Sequence, residues 1–155
     1  MKKITQINDR IVLCLMLLFV PHYSMKAQKR NEESLKLFLV QLTVSGFKDD
    51  NGQAILNIFN SSDGFPSDFS KAYRSLKGKI IENRITFSVK LPAGLYAFGC
   101  VHDENSNNRM EKNILGIPKE GAGLSNYSRG GYPSFDRAKV HIRENTFLQI
   151  KIKYL

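Results

Sequence analysis

A strict alternation of apolar and polar side chains is the feature that most constrains the fold of this chain. In Arg84–Leu91 the odd-numbered positions are apolar and the even-numbered positions are polar. Ala138–Ile142 alternates in the same way, and so does Thr146–Tyr154 from Leu148 onward. Because successive side chains of a strand point to opposite faces, a period of two predicts half-buried β-strands in these segments.

Four further segments complete a predicted set of about seven strands: Leu35–Val44, Ala54–Phe59, Ala72–Ile80 and Leu95–Val101. The first and the last are apolar on both faces, which is typical of central strands. Asn51-Gly52 predicts a hairpin turn, because this pair readily adopts positive φ. Ser67–Arg74 tolerates one or two helical turns, but no amphipathic run of helical length follows the first 27 residues. The pattern predicts an all-β fold, a single antiparallel β-sandwich with a long ordered loop.

The N-terminus predicts an export signal. Lys2 and Arg10 contribute to a basic start, Ile11–Val20 is an uninterrupted apolar run, and Ala27 is the best cleavage position. The run is too short to cross a bilayer, which takes about 20 apolar residues. We therefore predict a signal peptide over residues 1–27, an N-terminal tail over 28–34 and a β-sandwich domain over 35–155. The exported protein would be periplasmic or extracellular, with no membrane span after cleavage.

Charge and cysteine content narrow the expected chemistry. The 23 Lys and Arg residues outnumber the 14 Asp and Glu residues, which gives a formal net charge of +9, but the excess is scattered along the chain. Without a basic run or aromatics interleaved with arginine, we expect no nucleic-acid binding. Cys14 leaves with the signal, so Cys100 is the only cysteine of the mature chain and has no partner for an intramolecular disulfide. The apolar neighbours of Cys100 predict a buried structural thiol.

The long polar loop His102–Asn126 directly follows the predicted strand Leu95–Val101. Loops of this length in a compact domain are usually functional or disordered. A candidate calcium site opens the loop, with its ligands at alternate positions: Asp103, Asn105, Asn107, the backbone carbonyl of Arg109, and Glu111. Hard oxygen ligands suit calcium better than zinc, and no second His or Cys lies at zinc spacing.

Two positions depart from a complete calcium loop. Asn108 stands at the sixth position, where Gly is usual, although Asn also tolerates left-handed backbone geometry. Ile114 stands at the twelfth position, where a bidentate Glu is usual, so Glu120 or Asp136 would have to supply that ligand. The ion-free alternative is a series of Asx turns, in which Asn and Asp side chains accept hydrogen bonds from their own backbone. The sequence leaves both alternatives open.

A second candidate site combines polar and aromatic side chains of the same region. The candidate ligand-binding residues are His102, Lys119, Glu120, Ser125, Asn126, Tyr127 and Arg129. Such groups offer planar stacking and directional hydrogen bonds, which suit a carbohydrate or peptide ligand, but the same composition also occurs in ordinary packed loops. His102 is interpreted either as a general base or metal ligand, or as a structural anchor that bonds a backbone carbonyl. We also hypothesise that Asn60–Ser70 meets this loop at one rim of the sandwich.

Several segments together resemble one known family. The similarity lies in Asn51–Gln53, Ser62–Pro66, Leu91–Tyr96, His102–Asn105, Gly116–Gly121 and Ser125-Asn126. In order and spacing these motifs resemble the bacterial domain-of-unknown-function family 2141, from about Leu37 to the C-terminus. The resemblance implies a small exported protein with a transthyretin-like or immunoglobulin-like sandwich. It implies no activity.

Three functions are consistent with these observations. The favoured one is an exported, non-catalytic binding or structural module whose loop holds a carbohydrate, peptide or protein ligand and can carry a weak calcium site. The first alternative is a hydrolase that uses His102 with Ser125 or Asp103, although the sequence contains no Gly-x-Ser-x-Gly or His-Glu-x-x-His motif. The second alternative is assembly with a partner chain through an exposed edge strand. No catalytic residue is assigned.

Overall fold

The computed structural model describes residues 36–110, 114, 119–127 and 132–154. The predicted signal peptide and N-terminal tail lie outside the described residues, as do Glu111 and Arg129, two of the candidate site residues. Within the described part of the chain, no helix is long and apolar enough to cross a membrane.

Eight strands are present in the described residues, and all seven predicted strands are among them. Their bounds are β1 (Leu37–Ser45), β2 (Gln53–Phe59), β3 (Arg74–Gly78), β4 (Arg84–Pro92), β5 (Gly94–Asp103), β6 (Ala122–Leu124), β7 (Val140–Ile142) and β8 (Thr146–Lys151). One turn of 3-10 helix, Phe69–Lys71, lies in the segment that tolerates helix, and the short helix α1 spans Phe135–Ala138. The sequence does not predict β6, because its glycine-rich segment shows no side-chain alternation.

The strands form two sheets. A three-stranded sheet has the order β4-β1-β8, and a five-stranded sheet has the order β3-β2-β5-β6, with β7 also paired to β5. The prediction of a purely antiparallel structure is wrong at one place, because β8 runs parallel to β1, with Val40 opposite Thr146 and Ser45 opposite Lys151. Side-chain alternation shows which face of a strand is buried, and it is the same for both strand directions. The sequence pattern therefore could not reveal the direction of β8.

One hydrophobic core is shared by the two sheets. Val40, Leu42 and Val44 of β1 contribute to this core from the three-stranded sheet, and Leu56 and Phe98 contribute from the five-stranded sheet. All five side chains are fully buried. In β4 the alternate residues Phe87, Val89 and Leu91 are buried and Ile85 is partly buried, as the alternation predicts. Strand β5 is buried on both faces, as a central strand should be. The predicted fold class is thus confirmed at a coarser level: the structure is mostly β and consists of two sheets.

The long loop ends in β6, which lies against both β5 and the end of β8. Cys100 of β5 pairs with Gly123, and Ala122 forms a bridge to Lys153. A Cβ atom on Gly123 would lie 2.6 Å from the carbonyl oxygen of Lys151, so only glycine lets β6 approach β8 this closely. The segment that the sequence predicts as the long loop His102–Asn126 therefore contains the short strand β6 near its C-terminal end, and its first two residues belong to β5.

The antiparallel pairing of β2 and β5 determines where the two irregular segments leave the sheet. Phe59 lies opposite Ala97, and Gln53 lies opposite Asp103. Asn60–Ser70 therefore leaves the five-stranded sheet at the end opposite to the start of the long loop. The hypothesis that these two segments meet at one rim is wrong for the start of the loop, which lies beside the turn between β1 and β2 instead.

Candidate functional site

His102 lies near the C-terminal end of β5, and its side chain is fully buried. Its Nε2 is 2.8 Å from the carbonyl oxygen of Asn51, and its Nδ1 is 2.6 Å from the hydroxyl of Tyr154. Because a carbonyl only accepts, Nε2 donates to Asn51, and in the tautomer with its proton on Nε2 the ring accepts the hydroxyl of Tyr154 at Nδ1. That hydroxyl also accepts the backbone N–H of Lys48 at 3.0 Å. Both ring nitrogens are thus used in the way that the structural-anchor interpretation requires.

The first residues of the long loop are tied to the turn between β1 and β2. Lys48 Nζ forms an ion pair with Glu104, and Gln53 Nε2 donates to Asp103 Oδ2 at 2.8 Å. Gly52, with a φ of +66°, lies so close that a Cβ atom on it would be 2.1 Å from the carbonyl oxygen of Asp103. The positive φ expected of the predicted turn is therefore confirmed at Gly52, and this turn supports the base of the loop.

The carboxylate of Asp103 is fully buried and accepts three hydrogen bonds. Oδ1 accepts the backbone N–H of Asn107 at 3.0 Å, and Oδ2 accepts the backbone N–H of Asn108 at 2.9 Å as well as the Gln53 amide. Asn108 has a φ of +65°, the left-handed geometry that its place in the loop predicts. Asp103 therefore holds the first turn of the loop in shape from inside.

Neighbouring amides form further Asx turns. Asn105 Oδ1 accepts the backbone N–H of Asn107 at 3.0 Å, and Asn107 Oδ1 accepts that of Arg109 at 2.8 Å. Lys77 Nζ donates to Asn108 Oδ1 at 2.6 Å. Among the described residues, no three His, Cys, Asp or Glu side chains are grouped so that they could hold a metal ion. The hydrogen bonds are those of the ion-free alternative, and calcium binding stays a prediction.

Ser125 follows β6 and lies away from His102. Its buried hydroxyl donates to the carbonyl of Ala138 at 2.6 Å and accepts the backbone N–H of Phe98 at 3.0 Å. His102 lies four positions after Phe98 in β5, which is about 13 Å along an extended strand. His102 and Ser125 therefore do not form the pair that the hydrolase alternative requires. The carboxylate nearest to His102 Nε2 among its described contacts is Asp49, at 3.9 Å, which is beyond hydrogen-bond distance.

The remaining candidate residues do not gather into one site. Glu120 is buried at the base of the loop, where it accepts the backbone N–H of Glu104 at 3.2 Å, and the adjacent Lys119 is exposed. Asn126 donates from Nδ2 to the carbonyl that follows α1 at 3.0 Å. The ring of Tyr127 lies 5.4 Å from a guanidinium of α1. The candidates thus form one group around His102 and another around α1.

Burial affects the acid–base chemistry of the region. It raises the pKa of Tyr154, although the hydrogen bond from the backbone of Lys48 acts in the opposite direction. Burial also strongly raises the pKa of the Cys100 thiol, which is only 1% exposed. The hydrogen bond to Glu104 raises the pKa of Lys48. The predicted burial of Cys100 is confirmed, and its thiol stays protonated and unreactive at neutral pH.

Sequence reasoning missed two polar residues, one beside His102 and one in the middle of β2. Tyr154 continues the alternating apolar positions that begin at Leu148, but it carries a hydroxyl. In the sequence, that hydroxyl was the only indication of a hydrogen bond to His102. Asn57 interrupts the apolar run of β2 and is 1% exposed. Its Oδ1 accepts the hydroxyl of Ser75 at 2.6 Å, whereas its Nδ2 has no hydrogen-bond partner among the described residues. A polar side chain within an apolar strand could have drawn attention to Asn57.

The two sheets, their shared core and the buried polar base of the long loop define a small, mostly-β protein with an extended loop on one sheet. The chain belongs to the family described as "Uncharacterized protein conserved in bacteria (DUF2141)", whose model matches residues 42–149. The match extends from β1 into β8 and confirms the family that the motifs resemble. Comparison with curated proteins and with solved structures finds no match.

Proposed function

We propose that this protein is an exported, non-catalytic binding module, in which a transthyretin-like or immunoglobulin-like β-sandwich carries the long loop His102–Asn126. One observation supports this most directly. His102, Asp103 and Ser125, the residues best suited to catalysis, are all buried and bonded to groups that hold the chain in place. A general base or a nucleophile must reach its substrate. These three side chains act as supports instead.

The proposed ligand-binding surface consists of exposed side chains on and after the loop. Lys119 is exposed, Ile114 is 105% exposed and Tyr132 is 86% exposed. An exposed tyrosine ring offers a planar apolar surface with a polar tip, and a lysine adds a charge, which together suit a carbohydrate or a peptide. Because buried bonds already fix the base of the loop, binding there would lose little conformational entropy.

Screening the mature chain against glycan and peptide arrays tests this proposal. Ligands of the loop should lose at least about tenfold in signal with Tyr132→Ser and with Lys119→Gln, because a few exposed anchors usually carry most of the binding energy. Ile81→Ser is the matched control, since it removes an apolar side chain that is 64% exposed just before β4. If every hit survives both loop variants, or if Ile81→Ser weakens the hits equally, the loop is not the binding surface.

A calcium ion is the second ligand proposed for the loop. The carboxylate of Asp103 accepts three hydrogen bonds, whereas a carboxylate offers about four acceptor sites. Extracellular modules use weak sites, with a Kd of about 10⁻⁴–10⁻³ M. Adding about 5 mM calcium should therefore raise the Tm by at least about 3 °C.

The matched variant for calcium is Asn105→Ala, which removes one predicted ligand at an exposed position. Its Tm should not respond to calcium, and magnesium should have no effect on the wild type. An unchanged wild-type Tm in calcium, or an equal shift in Asn105→Ala, would contradict the calcium site and support the ion-free Asx turns.

A further inference from the structure

The outer face of the three-stranded sheet is exposed to solvent. Along β4 the side chains alternate between exposed and more buried. The strand register places half-buried positions of β1 and exposed positions of β8 level with the exposed positions of β4 on the same side. We call this surface the basic face and define it by Gln41, Arg84, Ser88, Lys90, Phe147 and Lys151. Its outward side chains are distinct from the exposed loop residues proposed above as a binding surface, although β6 of the loop approaches the backbone of Lys151 at the edge of this sheet.

Positive charge on the basic face is not balanced. Arg84, Lys90 and Lys151 are all exposed, and none of them forms an ion pair within the described part of the chain. The outward positions of β1, β4 and β8, all of which the structure describes, carry no Asp or Glu. Glu82 and Glu144 lie in the turns that precede β4 and β8. The face therefore favours an anionic partner.

An exposed aromatic ring lies in the middle of this charge. Phe147 is 77% exposed and stands opposite Gln41, which in turn stands opposite Ser88 on the other side of β1. In the next row Thr43 and Thr86 approach each other with their hydroxyl oxygens at 3.2 Å. The centre of the face thus presents one apolar ring beside a row of hydroxyl and amide groups, and cations lie near both ends.

We propose that the basic face binds an anionic polysaccharide that carries carboxylates. Sugar rings stack on Phe147, and their hydroxyls exchange hydrogen bonds with Gln41 and Ser88. The sugar carboxylates pair with Lys90 near one end of the face and with Arg84 and Lys151 near the other, where both stand opposite Ser45. An open strand face with directional donors matches an extended polymer of hydroxyl-rich rings better than it matches a globular ligand.

Two other occupants fit the face less well. A second copy of the chain that docked face to face would bring Arg84, Lys90 and Lys151 of each copy against like charges. A lipid surface would match the charge and Phe147, but contact with acyl chains would strip water from the central hydroxyl and amide groups without replacing their hydrogen bonds. The polysaccharide satisfies both the charges and the polar centre.

Binding of alginate to the full mature chain tests the proposal, with dextran as the neutral polymer and anionic phosphatidylglycerol vesicles as the lipid. At about 0.15 M ionic strength, where distant charges are screened, the wild type should bind alginate and leave dextran and the vesicles unbound. The double variant Lys90→Gln/Lys151→Gln and the single variant Phe147→Ser should each weaken alginate binding about tenfold.

The matched control is Arg74→Gln/Lys79→Gln, which removes the same charge from exposed positions at the two ends of β3 in the other sheet. Its alginate affinity should stay within about twofold of the wild type. Equal weakening in the control would reduce the effect to general attraction by the chain's excess of Lys and Arg over Asp and Glu and overturn the proposal. So would absence of alginate binding, equal binding to dextran, or binding to the vesicles alone. None of these outcomes affects the array test of the loop.

Discussion

At the scale of single residues, His102 connects three distant parts of the chain. Its ring bonds the carbonyl of Asn51 in the turn after β1 and the hydroxyl of Tyr154 near the C-terminus, while its backbone N–H donates to the carbonyl of Gly121 at 2.8 Å. Phe47 packs edge-on against the ring, with centroids 5.3 Å apart. A buried polar group stabilises only when its partners are present, so this cluster should respond to change as a unit.

The first prediction concerns the bond between His102 and Tyr154. His102→Phe removes both ring nitrogens and should lower the free energy of unfolding by about 1–3 kcal/mol, because the buried partners lose their bonds. Tyr154→Phe should cost about 1 kcal/mol, and the double variant should cost less than the sum of the two. Urea unfolding measures all three. His141→Gln, at an exposed position, should change stability by less than about 0.5 kcal/mol. Strict additivity would contradict the coupling.

The second prediction concerns the buried Nδ2 of Asn57, which has no partner among the described residues. A buried donor without an acceptor lowers stability, and Asn57→Val removes this donor. The free energy of unfolding of the variant should therefore equal that of the wild type or exceed it by up to about 1 kcal/mol. Ser75, the partner lost in this variant, is exposed and can bond water. Asn57→Asp keeps the shape but buries a charge, and it should be strongly destabilised at neutral pH. Equal destabilisation of both variants in urea would show that Nδ2 has a partner.

At the scale of elements, side-chain alternation predicts strands but not their partners. It placed β4 and β8 correctly, because half-buried strands show a period of two. It could not give the parallel pairing of β8 with β1, and it could not reveal β6, where Gly123 replaces side-chain packing with close backbone approach. In the site, the local turn geometry of Gly52 and Asn108 was predictable. The bond from His102 to Tyr154 was not, because it depends on the tertiary fold.

The third prediction tests the close approach of β6 to β8. Gly123→Ala places a Cβ atom against the Ile150 side chain and the Lys151 backbone, so it should lower the free energy of unfolding by about 1–3 kcal/mol. Gly99→Ala is the matched control on β5, where a Cβ atom would meet, among the described residues, only the end of the Leu124 side chain, at 3.1 Å. The control should be nearly neutral in thermal unfolding. If Gly99→Ala costs as much as Gly123→Ala, loss of glycine flexibility rather than the contact with β8 would explain both.

At the scale of the whole molecule, the two sheets keep several ionisable groups in their neutral form. Burial raises the pKa of the Cys100 thiol and of the Tyr96 and Tyr154 hydroxyls above their ordinary values. These groups belong to β5 and to the C-terminal segment, and all three lie in or against the shared core. Burial removes water from these groups, which disfavours their anions and leaves their neutral forms favoured. The free energy of unfolding should therefore depend on pH in the alkaline range.

The fourth prediction is that the protein loses stability as pH rises above about 8.5, the ordinary pKa of a thiol, and more steeply above about 10, that of a tyrosine. The unfolded chain releases these protons near the ordinary values, while the folded chain keeps them, so the stability present at lower pH is lost as pH rises. Urea unfolding from pH 7 to 11 measures the loss, which should be at most about 1.4 kcal/mol per pH unit for each such group while only the unfolded chain has released its proton. Cys100→Ala should flatten the curve between about pH 8.5 and 10, and Tyr154→Phe should flatten it only above about pH 10. If both variants follow the wild-type curve, other groups are responsible for the alkaline loss.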